Sequence, residues 1–354
     1  MGKSKQATMK DVAKLAGVSQ PTVSHFINGT APVSHTVAEK MQKAIKELGY
    51  MPNALARNLK QERTNTIGLI IPDIDNGYYT EITKNVEKNL REHGFITFLC
   101  NTFYDERLEK LYINSLIQQK VAGIVIGYGL IGKKAYEDVC KFEIPAILMD
   151  DKVEDDELNI PSVEVNNFTG SKLAVEHLYN IGAKKICYAS EPLFNRTSNL
   201  RFEGFKKAMK EFGYGENDSF ICIENNQYNK IEMGYNIGAQ ILLNNNIDAV
   251  FASSDQLAFG IIQRLKEHNV SIPDEIAIVG YDDIQLSKLV TPMLTTVSQP
   301  KYFMAKKGVE ILLKMINGEP LTKKLFLLEP SLIIRESTMM KVERSTGSNP
   351  NNKN

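Results

Sequence analysis

The chain has 354 residues, 43% hydrophobic and 24% charged, with a formal net charge of zero, a size and balance that fit a soluble protein of two or three packed domains. No apolar run approaches the about eighteen residues of a membrane span, and MGKSKQATMKDVAK at the amino terminus has no signal-peptide core, so a cytoplasmic protein without membrane contact is expected. Four widely spaced cysteines with no C-x-x-C pair read as buried, reduced thiols, and five histidines without metal-ligand spacing offer no metal site.

Charge is unevenly spread. Residues 1–66 carry ten Lys/Arg and four acids, a net +6, so the remainder carries −6. A basic head on an acidic body suggests a polyanion as the partner of the head, and on charge alone a solvated basic face reads equally well. Thr8 and Asp11 have the spacing of a helix-start capping pair. Val12, Leu15 and Ala16 then supply an apolar stripe, and Gly17 is suited to end the helix in the left-handed conformation. Ser19 is placed to cap a second helix, Gln20 to Ile27, whose first turn tolerates Pro21 because NH groups there have no intrahelical partner. This helix turns Val23, Phe26 and Ile27 inward and leaves Gln20, Thr22, Ser24 and His25 outward, until Asn28 and Gly29 break it. A third helix is predicted from about Ser34 to Leu48, on Val37, Met41, Ala44, Ile45 and Leu48. Two short helices joined by a Gly-containing turn and braced by a third make the helix-turn-helix pattern, whose second helix enters the major groove of DNA. A generic three-helix bundle is the alternative at this point.

YMPNALARNLK (50–60) is one or two turns of helix, too short to be stable alone. A leucine such as Leu59 at its tip can wedge between base steps from the minor groove, although this stretch alone reads better as a plain linker helix. Together, TMKDVAKLAGVSQPTVSHFING, IKELGYMPNALARNL and RTNTIGLIIPDI closely resemble the lactose-repressor (LacI/GalR) family of bacterial transcription regulators, over residues 8 to about 338. The resemblance implies DNA binding. Ser19, Gln20, Pro21, Thr22, Ser24, His25 and Asn28 fall on recognition-helix and flanking contact positions, and Tyr50, Ala56 and Leu59 complete the DNA-contacting set toward the hinge helix. His25 stands where many members have Arg, and Pro21 where some have a base-contacting residue. Those departures leave the operator sequence open and the binding mode intact.

Beyond residue 66, apolar runs alternate with helical stretches. Strands are predicted at 67–74, 96–101, 123–128, 145–150, 162–166, 185–190, 220–224, 249–254 and 276–282. Near-continuous apolar strands separated by helices imply an α/β fold of doubly wound parallel sheets, and their number implies two subdomains. The resemblance implies a core like that of periplasmic sugar-binding proteins, in which LTTVSQP (294–300), the following helix and FLLEPSLIIREST cross between subdomains to form a hinge. The expected domains are a helix-turn-helix head (1–51), a hinge helix and linker (52–66), an N-subdomain (67–165 and 298–328), a C-subdomain (166–297 and 329–340) and a disordered tail (341–354).

In such sheets ligands bind at the carboxyl ends of strands. Asp150, Ser254 and Asp282 end predicted strands, Arg201 opens a helix, and Tyr78 and Tyr79 follow the first strand. All six match family positions lining an effector cleft. Carboxylates and a guanidinium suit paired hydroxyls or a purine edge through two parallel bonds, while Asp255 and Asp283 read more simply as helix caps. GYGLIG (127–132) matches the dinucleotide fingerprint G-x-G-x-x-G. It follows the third strand of its subdomain rather than the first, however, and the acid that would bind ribose is Asp150 of the cleft, so nucleotide binding is not expected there. No catalytic constellation and no cofactor motif emerges. The expectation is a homodimeric repressor that binds a palindromic operator in double-stranded DNA, controlled by a small-molecule, carbohydrate-like effector. The polar tail lacks a leucine heptad, which favours a dimer over a tetramer. Two alternatives stand: a catabolite-type regulator with a phosphorylated carrier protein as corepressor, and a sugar-binding protein without DNA activity.

Overall fold

The computed structural model describes residues 7–28, 31–50, 64–127, 133–152, 158, 160–193, 195–224, 229–244 and 246–339. The chain divides into two compact units, Met1–Thr64 and Asn65–Asn354.

The first unit holds helices Met9–Ala16, Gln20–Asn28 and His35–Leu48. Thr8 accepts from the backbone N–H of Asp11, and the Asp11 carboxylate accepts from that of Thr8, so two orphan donors are satisfied at once. Gly17, at φ +65°, closes the helix with its N–H on the Ala13 carbonyl. Val12, Ala13, Ala16, Val23, Met41, Ala44 and Tyr50 form the core. The expected stripe is therefore turned by about one residue. The first helix packs on both others, so Ala13 is buried and Leu15 is left 47% exposed.

The second unit contains twelve strands among the described residues. They are β1 (Thr66–Ile71), β2 (Ile96–Asn101), β3 (Gly123–Ile126), β4 (Ala146–Met149), β5 (Ser162–Val165), β6 (Ile186–Ser190), β7 (Ser219–Ile223), β8 (Ala249–Ala252), β9 (Ala277–Asp282), β10 (Thr295–Ser298), β11 (Leu325–Leu328) and β12 (Ser331–Ile333). Two six-stranded sheets result, ordered β11-β5-β4-β3-β1-β2 and β12-β10-β9-β8-β6-β7. The first is wholly parallel, and in the second only β12 runs antiparallel, with Ser298 opposite Ser331. The inner strands β1, β3, β4, β6, β8 and β9 are buried along their whole length, as expected where helices cover both faces of a parallel sheet.

The chain passes between sheets after β5, after β10 and after β11. Helix Asn167–Asn180 packs on β8, β10 and β12, whereas helix Lys301–Ile316 packs on β3, β4, β5 and helix Gly77–Glu92. The three passages thus lie close to residues 166, 299–300 and 329–330. Two edge strands carry apolar side chains outward: Ile96, Phe98 and Leu99 on β2, and Ile221 and Ile223 on β7. All four cysteines are free thiols. Cys187 and Cys222 are buried as expected, but Cys140 is exposed, since it lies on the outer face of the short helix Lys133–Lys141.

Candidate functional site

Between the two sheets of the second unit lies a cavity of about 170 Å³. Its walls come from segments that follow the carboxyl ends of strands: Asn76, Tyr78 and Tyr79 after β1, Tyr104 after β2, Asp150 after β4, Glu191 after β6 and Asp282 at the end of β9. Asn195, Thr197, Arg201 and Lys230 come from two helices of the second sheet.

Two carboxylates sit on unusual backbone. Asp150 has φ +62° and Asp282 φ +116°, conformations that L-residues other than Gly adopt only where the surroundings enforce them. The Asp150 N–H is held by the Val163 carbonyl at 2.9 Å, and its own carbonyl accepts from Thr197 Oγ1 at 3.0 Å. Its side chain lines the cavity, yet Oδ1 makes no hydrogen bond. Burial pushes the Asp150 carboxyl up to about 7, against the pull of Arg201 and with the help of Asp282. Burial likewise raises Asp282, while Arg201, Lys230 and Lys301 oppose it.

Arg201 does not open its helix. Helix Arg196–Glu211 starts five residues earlier, because Asn195 caps it by accepting from the Ser198 N–H at 2.7 Å. Arg201 is therefore delivered from the second turn, buried. Nε donates to Asn167 Oδ1 at 2.8 Å and Nη1 to the Ser253 carbonyl at 2.7 Å. Nη2 faces Asp282 Oδ1 at 3.7 Å, and the guanidinium lies 3.8 Å from the centre of the Tyr281 ring. A cation held on every side presents a planar donor edge without losing further side-chain freedom on binding. Gln299 Nε2 fixes the same oxygen of Asp282, donating to Oδ1 at 2.7 Å.

Tyr78 and Tyr79 form an edge-to-face pair, centroids 5.1 Å apart, and the Tyr78 hydroxyl donates to Met304 Sδ at 3.5 Å. Opposite them, Lys230 Nζ pairs with Glu191 Oε1 at 2.9 Å, and Ser253 Oγ donates to Glu191 Oε2 at 2.9 Å. Burial works against the Glu191 charge, but Lys230 outweighs it and carries the carboxyl down to about 2. Among the described residues three carboxylates and two cations line the cavity, and each cation is already engaged by a carboxylate. Such a lining offers acceptors and fixed donors to hydroxyl groups but no free positive charge to an anion.

Of the residues expected in the cleft, Tyr78, Tyr79, Asp150, Arg201 and Asp282 are brought together. Ser254 is not among them. It caps helix Asp255–Glu267, accepting from the Leu257 N–H at 3.4 Å. The neighbouring acids are structural as well: Asp255 accepts from the Ile284 N–H, Ser287 and Thr296, and Asp283 pairs with Arg335. Asn76, Tyr104, Glu191, Asn195, Thr197 and Lys230 had escaped the reading of the sequence. The strand-end rule pointed to Glu191, directly after β6. Nothing in the spacing pointed to Lys230.

In the head, Ser19 Oγ accepts from the Thr22 N–H at 3.3 Å and meets Thr22 Oγ1 at 2.8 Å, capping the second helix. Gln20, Pro21 and His25 are exposed and Thr22 and Ser24 partly so, which leaves this face available to a groove. Asn28 ends the helix. Tyr50 is a correction: it is 8% exposed and packs in the head core, because its N–H closes on the Ile45 carbonyl and folds the chain back over the third helix. Ala56 and Leu59, the tail and residues 128–132 of GYGLIG lie outside the described residues. Gly127 follows β3, the third strand, with its N–H on the Ile70 carbonyl.

Residues 8–53 match the family of bacterial regulatory proteins called the lacI family, and residues 175–338 match the periplasmic binding protein-like domain. The ribose operon repressor of Escherichia coli (strain K12) is 35% identical over 94% of this chain and 99% of its own length. The repressor PurR of Histophilus somni (strain 2336) is 33% identical over 94% of this chain and 98% of its own. Among solved structures, a lac repressor dimer bound to operator and the anti-inducer ONPF superposes with a TM-score of 0.82 at 26% identity, covering 95% of this chain and all of that one. A LacI-family regulator from Enterococcus faecium with bound ribose superposes at 0.70 with 29% identity, covering 77% of this chain and 98% of that one.

Proposed function

The chain belongs to the lacI family of bacterial regulatory proteins, and from that premise we propose that it is a transcriptional repressor whose effector is an uncharged, single-ring monosaccharide. The cavity carries this reading. It is smaller than the about 300–1,000 Å³ of pockets that hold drug-sized ligands, it is walled by tyrosines, and its polar groups suit hydroxyls. Asp150 Oδ1 is a buried acceptor in want of a donor, and the Arg201–Asp282 pair presents a donor beside an acceptor, as adjacent hydroxyls require. That no free cation lines the cavity among the described residues disfavours phosphorylated sugars. D-Ribose is the first compound to test, given the ribose operon repressor and the ribose-bound neighbour. The ligand is bound and released unchanged, as befits a regulator rather than an enzyme.

On the DNA side, the exposed polar face of helix Gln20–Asn28 enters the major groove, and two copies of the chain meet a palindromic operator. The effector acts by binding one arrangement of the two sheets more tightly than another, which biases operator affinity by the same free-energy difference. Residues 51–63, including Ala56 and Leu59, make the connection between head and core. Fluorescence anisotropy with palindromic duplexes selected from a random pool, at two salt concentrations, tests the proposal. Tight, salt-sensitive binding of one palindrome, altered by D-ribose and not by ribose 5-phosphate, is expected. Equal, weak binding of every duplex with and without sugars would sink it.

A further inference from the structure

Next to Asp282, the two subdomains grip one another through groups that do not line the cavity and that the effector reading leaves unused. Lys301 is the first residue of helix Lys301–Ile316 and belongs to the first subdomain, yet it is 7% exposed and its ammonium reaches across to the second. Nζ donates to the backbone carbonyl of Asp282 and, at 2.8 Å, to that of Asp283. It is held from behind by Glu81 Oε2 at 3.3 Å. Glu81 sits on helix Gly77–Glu92, also of the first subdomain, and its other oxygen accepts the backbone N–H of Gln285 at 3.0 Å. The segment 282–285 is thus caught from both ends: its carbonyls by a cation, its amide by an anion, the two charges paired with each other. Asp283 adds a second left-handed residue, at φ +50°. Ile284 lies so close to Gly77 that a Cβ there would come within 2.9 Å of its Cδ1.

A buried ammonium costs several kcal/mol in lost hydration unless it is fully partnered, and here three acceptors partner it. A backbone turn with φ above zero is strained for a carboxylic residue and persists only where its surroundings enforce it. Both observations point to the same arrangement. We propose that Glu81 and Lys301 form a cross-subdomain clamp that positions Asp282 for the effector and links occupancy of the cavity to the relation between the two sheets. The positioning role rests on the effector reading above; the clamp itself does not. When the sheets move apart, Lys301 must release the carbonyls of the turn that carries Asp282, so opening loosens the effector site and a seated effector resists opening.

The test uses the full-length protein and the variants Lys301→Met, Glu81→Ala and, as a control on the same helix, Lys307→Met. Amide hydrogen exchange without sugar should be at least about tenfold faster across residues 283–289 in both clamp variants, and unchanged in β8 and in the control, because hydrogen bonds to charged groups are strong. Calorimetric titration with D-ribose should give a Kd roughly tenfold weaker in both clamp variants only, with partial recovery in Lys301→Arg. Exchange that is unchanged at 283–289, or faster throughout the second sheet, overturns the clamp. Faster local exchange with an unaltered Kd overturns the positioning role. No heat of binding in the wild-type protein counts against the ribose reading, and the exchange comparison then decides the clamp by itself.

Discussion

The Asp150 carboxyl lies buried at the end of β4 with Oδ1 free of hydrogen bonds, and burial carries it up to about 7. A sugar hydroxyl donates best to the ionised form, so binding should draw a proton off Asp150 and weaken as the pH falls. With a free-state value near 7, the affinity for D-ribose should drop roughly tenfold between pH 8 and pH 6, and Asp150→Asn should bind more weakly with no such slope. Titrations at four pH values check this, and a flat profile in the wild type would remove Asp150 from the ligand. Stability without sugar follows the opposite sign. Burial also raises Asp255 to about 7, so the folded chain binds more protons at both carboxyls than the unfolded chain, whose aspartates titrate near 3.8. Stability should therefore fall as pH rises from about 4 to 7. Glu191, lowered to about 2, acts the other way, and its contribution is lost as pH falls from about 4.5 toward 2. Melting temperatures across pH 4 to 8 should peak on the acid side of neutrality.

Helices report on the same physics at the next scale. Helix Lys230–Leu242 crosses helix Asp255–Glu267 so closely that a Cβ on Gly260 would lie 1.9 Å from the Ile231 carbonyl oxygen, and one on Gly234 2.0 Å from that of Leu257. Backbone cannot step aside, so Gly260→Ala should cost about 1–3 kcal/mol or more and lower the melting temperature of the core by roughly 5 °C. Gly308→Ala is the contrast: its Cβ meets Met149 Cε, the mobile end of an adaptable side chain, and the gain in helix propensity offsets the crowding. A neutral result for both substitutions would contradict the packing. These elements also mark how far the sequence could be read. Strand positions were legible where β1, β3, β4, β6, β8 and β9 are near-continuous apolar runs, whereas the inner strand β10 (TTVS) carries no such run. Asp150 and Asp282 were legible because they end such runs. Lys230, Glu81 and Lys301 were not, since each begins or rides on a helix and acquires meaning only from partners 39, 204 and 18 or 19 residues away. Ser254 misled for a related reason: a strand-end serine before a helix is equally a cap, and here the cap prevailed.

For the molecule as a whole, two sheets built on one strand order end in edge strands that turn apolar side chains outward, Phe98 and Leu99 on β2 and Ile221 and Ile223 on β7. An edge strand with an uncovered apolar face is an invitation to pair, which proteins blunt with charge or cover with another chain. No Lys, Arg, Asp or Glu stands in β2 or β7, so these edges are the surface on which the proposed second copy of the chain should dock. A dimer would also strengthen the proposed operator binding, because the second half-site is met at the high effective concentration set by the first, worth about 10²–10⁴ in affinity. Phe98→Arg with Ile223→Arg should therefore convert the protein to monomers by analytical ultracentrifugation. Operator affinity should fall on the order of 100-fold or more, while D-ribose binding, confined to one chain, stays within about twofold. Monomers that bind the full palindrome as tightly as the wild type would contradict both the interface and the two-half-site mode of recognition. If instead ribose binding falls with operator binding, the edge strands support the cavity itself, and the dimer interface must lie elsewhere on the core.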